Sequence, residues 1–154
     1  MFRCHEPCVL FVDDCFGHKA LVAALKGKEF SVVGFHEVFG KEQNIKDEKI
    51  IPHCAKHKLL IVTTDKNMVL RHRDLLNQHQ QCVIFTTSNA GDNLGKWLPG
   101  IVNNKAKIER TWKKREPPWV GRLHASGHLE IFDLMKYTEY DSDTPPEKRR
   151  KKKN

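Results

Sequence analysis

The apolar residues of this chain form two kinds of pattern. Short unbroken apolar runs predict four buried strands, at 8–13, 30–35, 59–63 and 82–86. Apolar residues with helical spacing predict three helices between those strands, at 17–26, 47–55 and 69–78. This alternation of strand and helix is typical of an α/β fold, and we expect a three-layer sandwich with a mainly parallel central sheet.

The second half of the chain continues with a longer helical pattern and a closing β-hairpin. Residues 92–115 are predicted to be mostly helical, with Pro99 and Gly100 as a possible point of division. Two further runs, at 119–123 and 129–132, have the pattern of a β-hairpin. The predicted sheet therefore gains a C-terminal hairpin beyond its four parallel strands.

Two of the predicted strands end in the same way, with carboxylates. The first strand ends in Asp13 and is followed by Asp14, and the third is followed by Thr64 and Asp65. If these strands are parallel neighbours, Asp13 and Asp65 meet at one edge of the sheet, where such sheets bind ligands. A carboxylate that ends a buried apolar strand must be paired, hydrated or liganded, so we expect functional roles for both residues.

A third acidic position opens the helix that precedes the central strand. Asp47 and Glu48 lie in the first turn of that helix. We expect an ordinary crossover to put them at the opposite end of the sheet, but the loop 34–46 is long enough to let the helix approach the acidic edge. The simpler interpretation is that Asp47 only caps its helix and that Glu48 is a solvated first-turn residue.

Carboxylates that converge on one point require a cation, because they repel each other when ionised. Hard oxygen ligands of this kind select Mg²⁺ or Mn²⁺, which also accept phosphate oxygens. Two such ions, roughly 3.5 to 4 Å apart, activate a water and stabilise the leaving oxygen of a phosphodiester. The acidic pattern therefore indicates metal-dependent nuclease chemistry.

The residues that carry this chemistry resemble those of a known family. The matching segments are 11–14 on the first strand, 47–51 at the start of a helix, and 60–68 at the end of the central strand. Their order and spacing over residues 8–86 are similar to those of PIN-like domains, including VapC-type toxin ribonucleases and their small stand-alone relatives. The segment 119–132 resembles the closing segment of these small relatives.

The resemblance implies a parallel sheet between helices, a Mg²⁺ or Mn²⁺ site, and endonuclease activity on RNA. It implies that Asp13, Asp47 and Asp65 bind the metal and that the Thr64 hydroxyl orients the last of them. It also raises the expectation of a toxin with an antitoxin-like protein partner, and of a homodimer.

Two further positions of the predicted site differ from the family pattern. Asp14 stands where relatives often carry a glutamate, and we include it as a supporting residue. Asn67 stands where many relatives carry another acid, so the predicted site is one charge poorer.

Two alternative functions remain open from the sequence. One is a PIN-like domain without catalytic activity that only binds RNA or a protein, which the neutral Asn67 favours. The other is a receiver-like signalling domain, in which Asp13 and Asp14 hold Mg²⁺ and Asp65 accepts a phosphoryl group. Against the receiver, no Met-Pro turn follows Asp65, no Lys-Pro pair ends a later strand, and Asp47 is left without a role.

The length and the charge distribution of the chain predict one domain followed by a basic tail. The 154 residues suit one domain, for which we predict the range 1–135, followed by a disordered basic tail at 136–154. Of the net charge of +8, residues 147–154 contribute six positive charges and one negative charge. The tail could weakly hold a polyanion or act as a nuclear address in a eukaryote, or remain solvated without a role.

The polar side of the 92–115 helix is also basic. Phosphate contacts require only accessible positive charge. We therefore predict an RNA-backbone surface there, with a solvated helix face as the alternative. Its candidate residues are Lys105, Lys107, Arg110, Lys113 and Lys114.

The cysteines and the overall hydropathy bear on the compartment. Five cysteines are an odd number and indicate buried free thiols in a reducing compartment. A zinc site from Cys4, Cys8, His53, Cys54 and His57 is the alternative, but its spacing matches no standard zinc module. No signal peptide or membrane-spanning apolar run is present, so we expect an intracellular, cytoplasmic protein without a membrane partner.

Overall fold

The structure is a computed structural model, and it describes residues 6–13, 18–40, 45–86 and 94–138. The strands in these ranges are Val9–Val12 (β1), Ser31–Gly34 (β2), Leu59–Thr63 (β3), Val83–Thr86 (β4), Trp119–Leu123 (β5) and Leu129–Asp133 (β6). The helices are His18–Gly27 (α1), Phe35–Phe39 (α2), Asp47–Lys56 (α3), Met68–Arg71 (α4), Arg73–Gln78 (α5), Leu94–Asn103 (α6) and Lys105–Lys114 (α7), followed by a 3-10 helix at Leu134–Lys136.

The strands form one sheet in the order β2-β1-β3-β4-β5-β6. The first five are parallel, and β6 pairs antiparallel with β5 as the second strand of the hairpin. The strand order reverses between β1 and β3, because β2 lies on one side of β1 and the later strands lie on the other. The predicted α/β sandwich with a mainly parallel sheet and a C-terminal hairpin is confirmed.

Helices cover both faces of the sheet, which explains why the central strands β1, β3 and β4 are almost entirely apolar. One core contains Leu10, Leu60 and Val62 of β1 and β3 together with apolar residues of α1, α6 and α7. The other contains Phe11 and Ile61 of the same strands together with residues of α2 to α5. Side chains alternate between these two layers along each strand.

The three tryptophans belong to the first of these cores. The side chains of Trp97, Trp112 and Trp119 are all almost completely buried. They therefore stabilise the packing of α6 and α7 on the sheet, as expected for core residues.

Three local features differ from the predicted elements. The strand predicted through residue 35 ends at Gly34, because Glu37 of the short helix α2 accepts a hydrogen bond from the Gly34 N–H at 3.1 Å. The helical segment 92–115 divides at Asn104, while Pro99 lies inside α6. The Asn104 side chain donates hydrogen bonds to the carbonyls of Gly100 and Gly127, a tertiary contact that the sequence does not reveal.

Ordered structure continues past the predicted domain boundary at residue 135. Tyr137 is fully buried, and its ring packs edge-on against Phe85 and Phe132. Arg73 donates a hydrogen bond to the Tyr137 carbonyl. The tail from residue 139 onwards lies outside the described residues, so its disorder stays a prediction. Within the described ranges, every helix is too short or too polar to cross a bilayer.

Candidate active site

Asp13 lies at the carboxyl end of β1 and is buried, with only 7% of its surface exposed. Its N–H donates to the Val62 carbonyl at 3.0 Å, which extends the parallel pairing of β1 and β3 by one residue. That register puts Asp13 beside Thr63, whose hydroxyl donates to the Asp13 carboxylate at 3.2 Å. A buried carboxylate at this position is therefore satisfied by a neighbouring strand.

Asp65 follows β3, where it accepts hydrogen bonds from two backbone N–H groups and from Arg71 and donates one through its own N–H. Its own N–H donates to the Thr63 hydroxyl at 3.1 Å, so one hydroxyl contacts both aspartates. Its carboxylate accepts the Asn67 N–H at 3.0 Å, and its carbonyl accepts the Met68 N–H at 3.1 Å. Asp65 is thus the first residue of the turn that opens α4.

Asp47 lies at the same edge of the sheet as Asp65. A single nitrogen of the Arg71 guanidinium contacts Asp65 Oδ2 at 2.7 Å and Asp47 Oδ2 at 3.2 Å. The expectation that an ordinary crossover places Asp47 at the opposite end is wrong. A crossover helix runs antiparallel to its strands, so its N-terminus begins where the strands end.

Arg71 is a cation that Asp47 and Asp65 share. Its hydrogen bonds with Asp65 and then with Asp47 raise its pKa above the usual arginine value, although burial acts in the opposite direction. About half of its side chain is exposed, so solvent screens both ion pairs. The single positive charge of the guanidinium lies between two carboxylates and offsets part of their mutual repulsion.

His72 extends the cluster on the other side of Asp47. Its Nε2 lies 3.2 Å from Asp47 Oδ2, and its Nδ1 lies 3.7 Å from a carboxylate oxygen of the largely exposed Glu48. Asp47 therefore does more than occupy the first turn of α3, since its carboxylate contacts two side chains of the α4 region.

The remaining predicted site residues are Thr64, Asn67 and Asp14, and the structure describes two of them. Thr64 is partly exposed after β3, and the contacts expected of it are made by Thr63, one residue earlier. Asn67 touches the cluster through its N–H, which a side-chain pattern cannot anticipate. Asp14 lies outside the described residues. The orienting role of Thr64 and the supporting role of Asp14 stay predictions.

Sequence reasoning missed three members of this cluster: Thr63, Arg71 and His72. Thr63 was recoverable, because in-register pairing of β1 and β3 puts it next to Asp13 on the face that also carries Phe11 and Ile61. The sequence pattern does not identify Arg71 and His72, because their contacts depend on the tertiary placement of α4 beside the start of α3.

The oxygen donors of the site suit a hard divalent cation, on the condition that the cation replaces Arg71. Oxygens of Asp47 and Asp65 come from two different elements and converge on one cationic group, Arg71. Asp13 is joined to Asp65 through one hydroxyl. Among the described residues, however, no three side chains of His, Cys, Asp or Glu are grouped closely enough to hold a metal ion. A divalent cation would therefore take the place that Arg71 holds between Asp47 and Asp65.

The alternative zinc site has no support among the described residues. Cys8, Cys54 and Cys82 are free cysteines, and Cys54 and Cys82 are buried. Burial and then the nearby Asp13 raise the pKa of the Cys54 thiol far above its usual value, so it remains a thiol at neutral pH. Cys4 lies outside the described residues.

The predicted basic residues of α7 divide between two sides of the helix. Lys107, Arg110 and Lys114 line an open groove, together with Arg115, which was not in the predicted set. Lys105 instead pairs with Glu109 at 3.2 Å, and Lys113 is exposed outside the groove.

Comparison with known proteins gave one match. A family model described as "PIN like domain" matches residues 8–88, which is more than half of the chain and covers β1 to β4. Neither the comparison with curated proteins nor the comparison with solved structures gave a match.

Proposed function

Because this chain belongs to the PIN-like domain family, whose members are generally nucleases, we propose that it is a metal-dependent endoribonuclease. The observation that carries the proposal is a chain of contacts at the carboxyl ends of the strands: Thr63 links Asp13 to Asp65, and Arg71 links Asp65 to Asp47. They come from three separate elements and lie where the strand order reverses between β1 and β3, the usual ligand site of such sheets.

The chain's own residues have distinct roles in this proposal. Asp13, Asp47 and Asp65 would hold Mg²⁺ or Mn²⁺, and the cation would supply charge stabilisation and an activated water for phosphodiester hydrolysis. Thr63 keeps Asp13 and Asp65 in a fixed relation, and the backbone turn at Asn67 orients the Asp65 carboxylate.

The test is cleavage of a structured RNA pool by the purified protein with Mn²⁺ or with EDTA. Asp65→Asn removes the charge and keeps the shape of the side chain. Asp74→Asn is the matched control, because Asp74 is exposed in the first turn of α5.

We expect cleavage by the wild type and by Asp74→Asn with Mn²⁺ only. We expect Asp65→Asn to lose at least about a hundredfold in rate, since even outer-shell partners of a metal contribute about 10- to 100-fold. Equal cleavage by both variants would exclude this site.

A binding module without catalytic activity is the second candidate. Arg71 favours it, because this residue already supplies a positive charge to Asp47 and Asp65. The neutral Asn67 favours it as well. A Mn²⁺ titration followed by thermal unfolding separates the two candidates: a metal-binding site raises the melting temperature of the wild type but not of Asp65→Asn. RNA binding without any such metal effect would favour the binding module.

The toxin role, the antitoxin-like partner and the homodimer are further proposals that rest on the family resemblance alone. Size-exclusion chromatography with light scattering tests the dimer directly. Cytoplasmic or nuclear localisation likewise stays a prediction.

A further inference from the structure

Helix α7 has a buried side and a basic side. Ile108 and Trp112 pack into the core beneath the helix. The basic side faces β6 and forms an open groove of about 630 Å³. The groove is lined by Lys107, Arg110, Thr111, Lys114, Arg115 and Ile131.

The positive charge of this groove is only partly balanced. Arg115 pairs with Asp133 of β6 at 2.8 Å, which lowers the pKa of Asp133. The ammonium of Lys107 donates to the carbonyl of Leu129, which holds the side chain in place without neutralising it. In the part of the chain that the structure describes, Arg110 and Lys114 are exposed and contact no carboxylate.

The spacing of these cations makes the groove a linear array. Lys107, Arg110 and Lys114 follow one another at three and four residues, so they repeat about once per helical turn, roughly every 5 Å along the axis. A chain that carries a negative charge on every unit matches such an array. Arginine also forms two parallel hydrogen bonds with a phosphate group.

We propose that this groove binds the phosphate backbone of an RNA strand and holds the substrate while the acidic edge acts on it. The identity of the polyanion rests on the proposed function, whereas the groove itself rests on the contacts of α7 and β6. An acidic peptide is the competing occupant, but its carboxylates need not follow a regular spacing along the helix.

The groove is separate from the acidic edge. Three strand spacings separate β6 from β3, which is about 14 Å across the sheet. The groove also lies in the layer of α7, whereas α3 and α4 lie in the other layer. Removing groove charges should therefore weaken RNA binding and raise KM while leaving kcat unchanged.

Two double variants of the full chain test the proposal with equal changes in net charge. The groove variant is Arg110→Gln with Lys114→Gln. The control variant is Lys28→Gln with Lys56→Gln, which removes two exposed lysines that do not line the groove. The basic tail is identical in both proteins, so its contribution cancels in the comparison.

The measurement is fluorescence anisotropy of a short single-stranded RNA in EDTA, between about 50 and 200 mM salt. We expect the groove variant to lose at least about fivefold in affinity. We also expect its salt dependence to fall by about 1.4 in log–log slope, because each lost phosphate contact removes about 0.7. The control variant should change neither quantity.

Four other outcomes would overturn the proposal. The first three are an equal loss of RNA affinity in both variants, no loss of RNA affinity in the groove variant, and a loss of RNA affinity with an unchanged salt slope. The fourth is a groove variant that no longer binds polyglutamate, as the acidic peptide, but still binds RNA. Cleavage assays keep the two proposals apart. A groove variant that loses RNA binding supports the groove even if the wild type cleaves nothing. Wild-type cleavage with an unchanged KM in the groove variant would reject the groove and keep the nuclease.

Discussion

The Thr63 hydroxyl is the smallest group on which the candidate site depends. It donates to the buried carboxylate of Asp13 and accepts the N–H of Asp65, which uses its donor and one acceptor position. Thr63 itself is fully buried at the end of β3. One side chain thus links two aspartates that follow neighbouring strands.

Replacing Thr63 with valine should lower the free energy of unfolding by about 1–3 kcal/mol, because a buried carboxylate loses a hydrogen bond. Thr86→Val is the matched control. Thr86 is also buried at a strand end, and its hydroxyl has no hydrogen-bond partner among the described residues. Urea unfolding measures both variants. An equal loss of unfolding free energy in both variants would show that the exchange of a hydroxyl for a methyl group causes the loss, and not the broken contact with Asp13.

Arg71 competes with a divalent cation for the same carboxylate oxygens. Arg71→Gln should therefore lower the Mn²⁺ concentration needed to raise the melting temperature by about twofold to thirtyfold. This range follows from two partly exposed ion pairs at about 0.2–1 kcal/mol each. Arg110→Gln removes the same charge far from the site and should leave the Mn²⁺ titration unchanged. An unaltered titration in Arg71→Gln would show that the guanidinium and the metal do not compete.

At the scale of single residues, the sequence predicts the two strand-end aspartates well. An acid after a buried apolar run must be paired, hydrated or liganded, and the carboxyl ends of parallel strands lie at the same edge of the sheet. It predicts the partners poorly, because Arg71 and His72 reach the site through the tertiary placement of α4.

At the scale of elements, β5 is tightly enclosed at its centre. A Cβ atom added to Gly121 would lie 3.0 Å from Ile84 and 3.2 Å from Leu129. Gly121→Ala should therefore lower the free energy of unfolding by about 1–3 kcal/mol through overpacking. At Gly27, at the end of α1, an added Cβ would meet nothing within 4 Å. Gly27→Ala should be neutral or stabilising, and thermal unfolding compares the two.

The strands β1, β3 and β4 were predictable because they are buried on both faces, which leaves a nearly unbroken apolar run of strand length in the sequence. The short helix α2 was not, because its five residues carry no helical repeat and depend on the contact between Gly34 and Glu37. The division of the long helix at Asn104 depends on Gly127, more than twenty residues away in the chain. Local pattern cannot encode either contact.

At the scale of the whole molecule, two histidines couple stability to pH. Burial, followed by the charges of His57 and Lys56, lowers the pKa of His53 below the ordinary value of 6.5. Burial also lowers the pKa of His124, although the contact with Glu130 opposes this effect. Below pH 6.5 the unfolded chain therefore binds protons more readily than the folded protein.

Stability should be fully present above pH 6.5 and should decrease as the pH falls through the lowered pKa values of the folded state. The double variant His53→Gln with His124→Gln should show a smaller loss between about pH 7.5 and 5.5 than the wild type. Urea unfolding at both pH values measures the difference. The lowered pKa of Asp133 acts only near and below 3.8, outside this window. An equal loss in both proteins would contradict this coupling.

The order of the strands also sets a sequence of events during synthesis on the ribosome. All three candidate metal-binding aspartates precede β4, so the acidic edge can assemble early in translation. The far side of β4 finds its partner only in β5, more than thirty residues later. Until then one edge of the mostly apolar strand β4 has no strand partner, and such edges promote aggregation. A nascent chain that pauses in this interval is the form of the protein that most needs a chaperone.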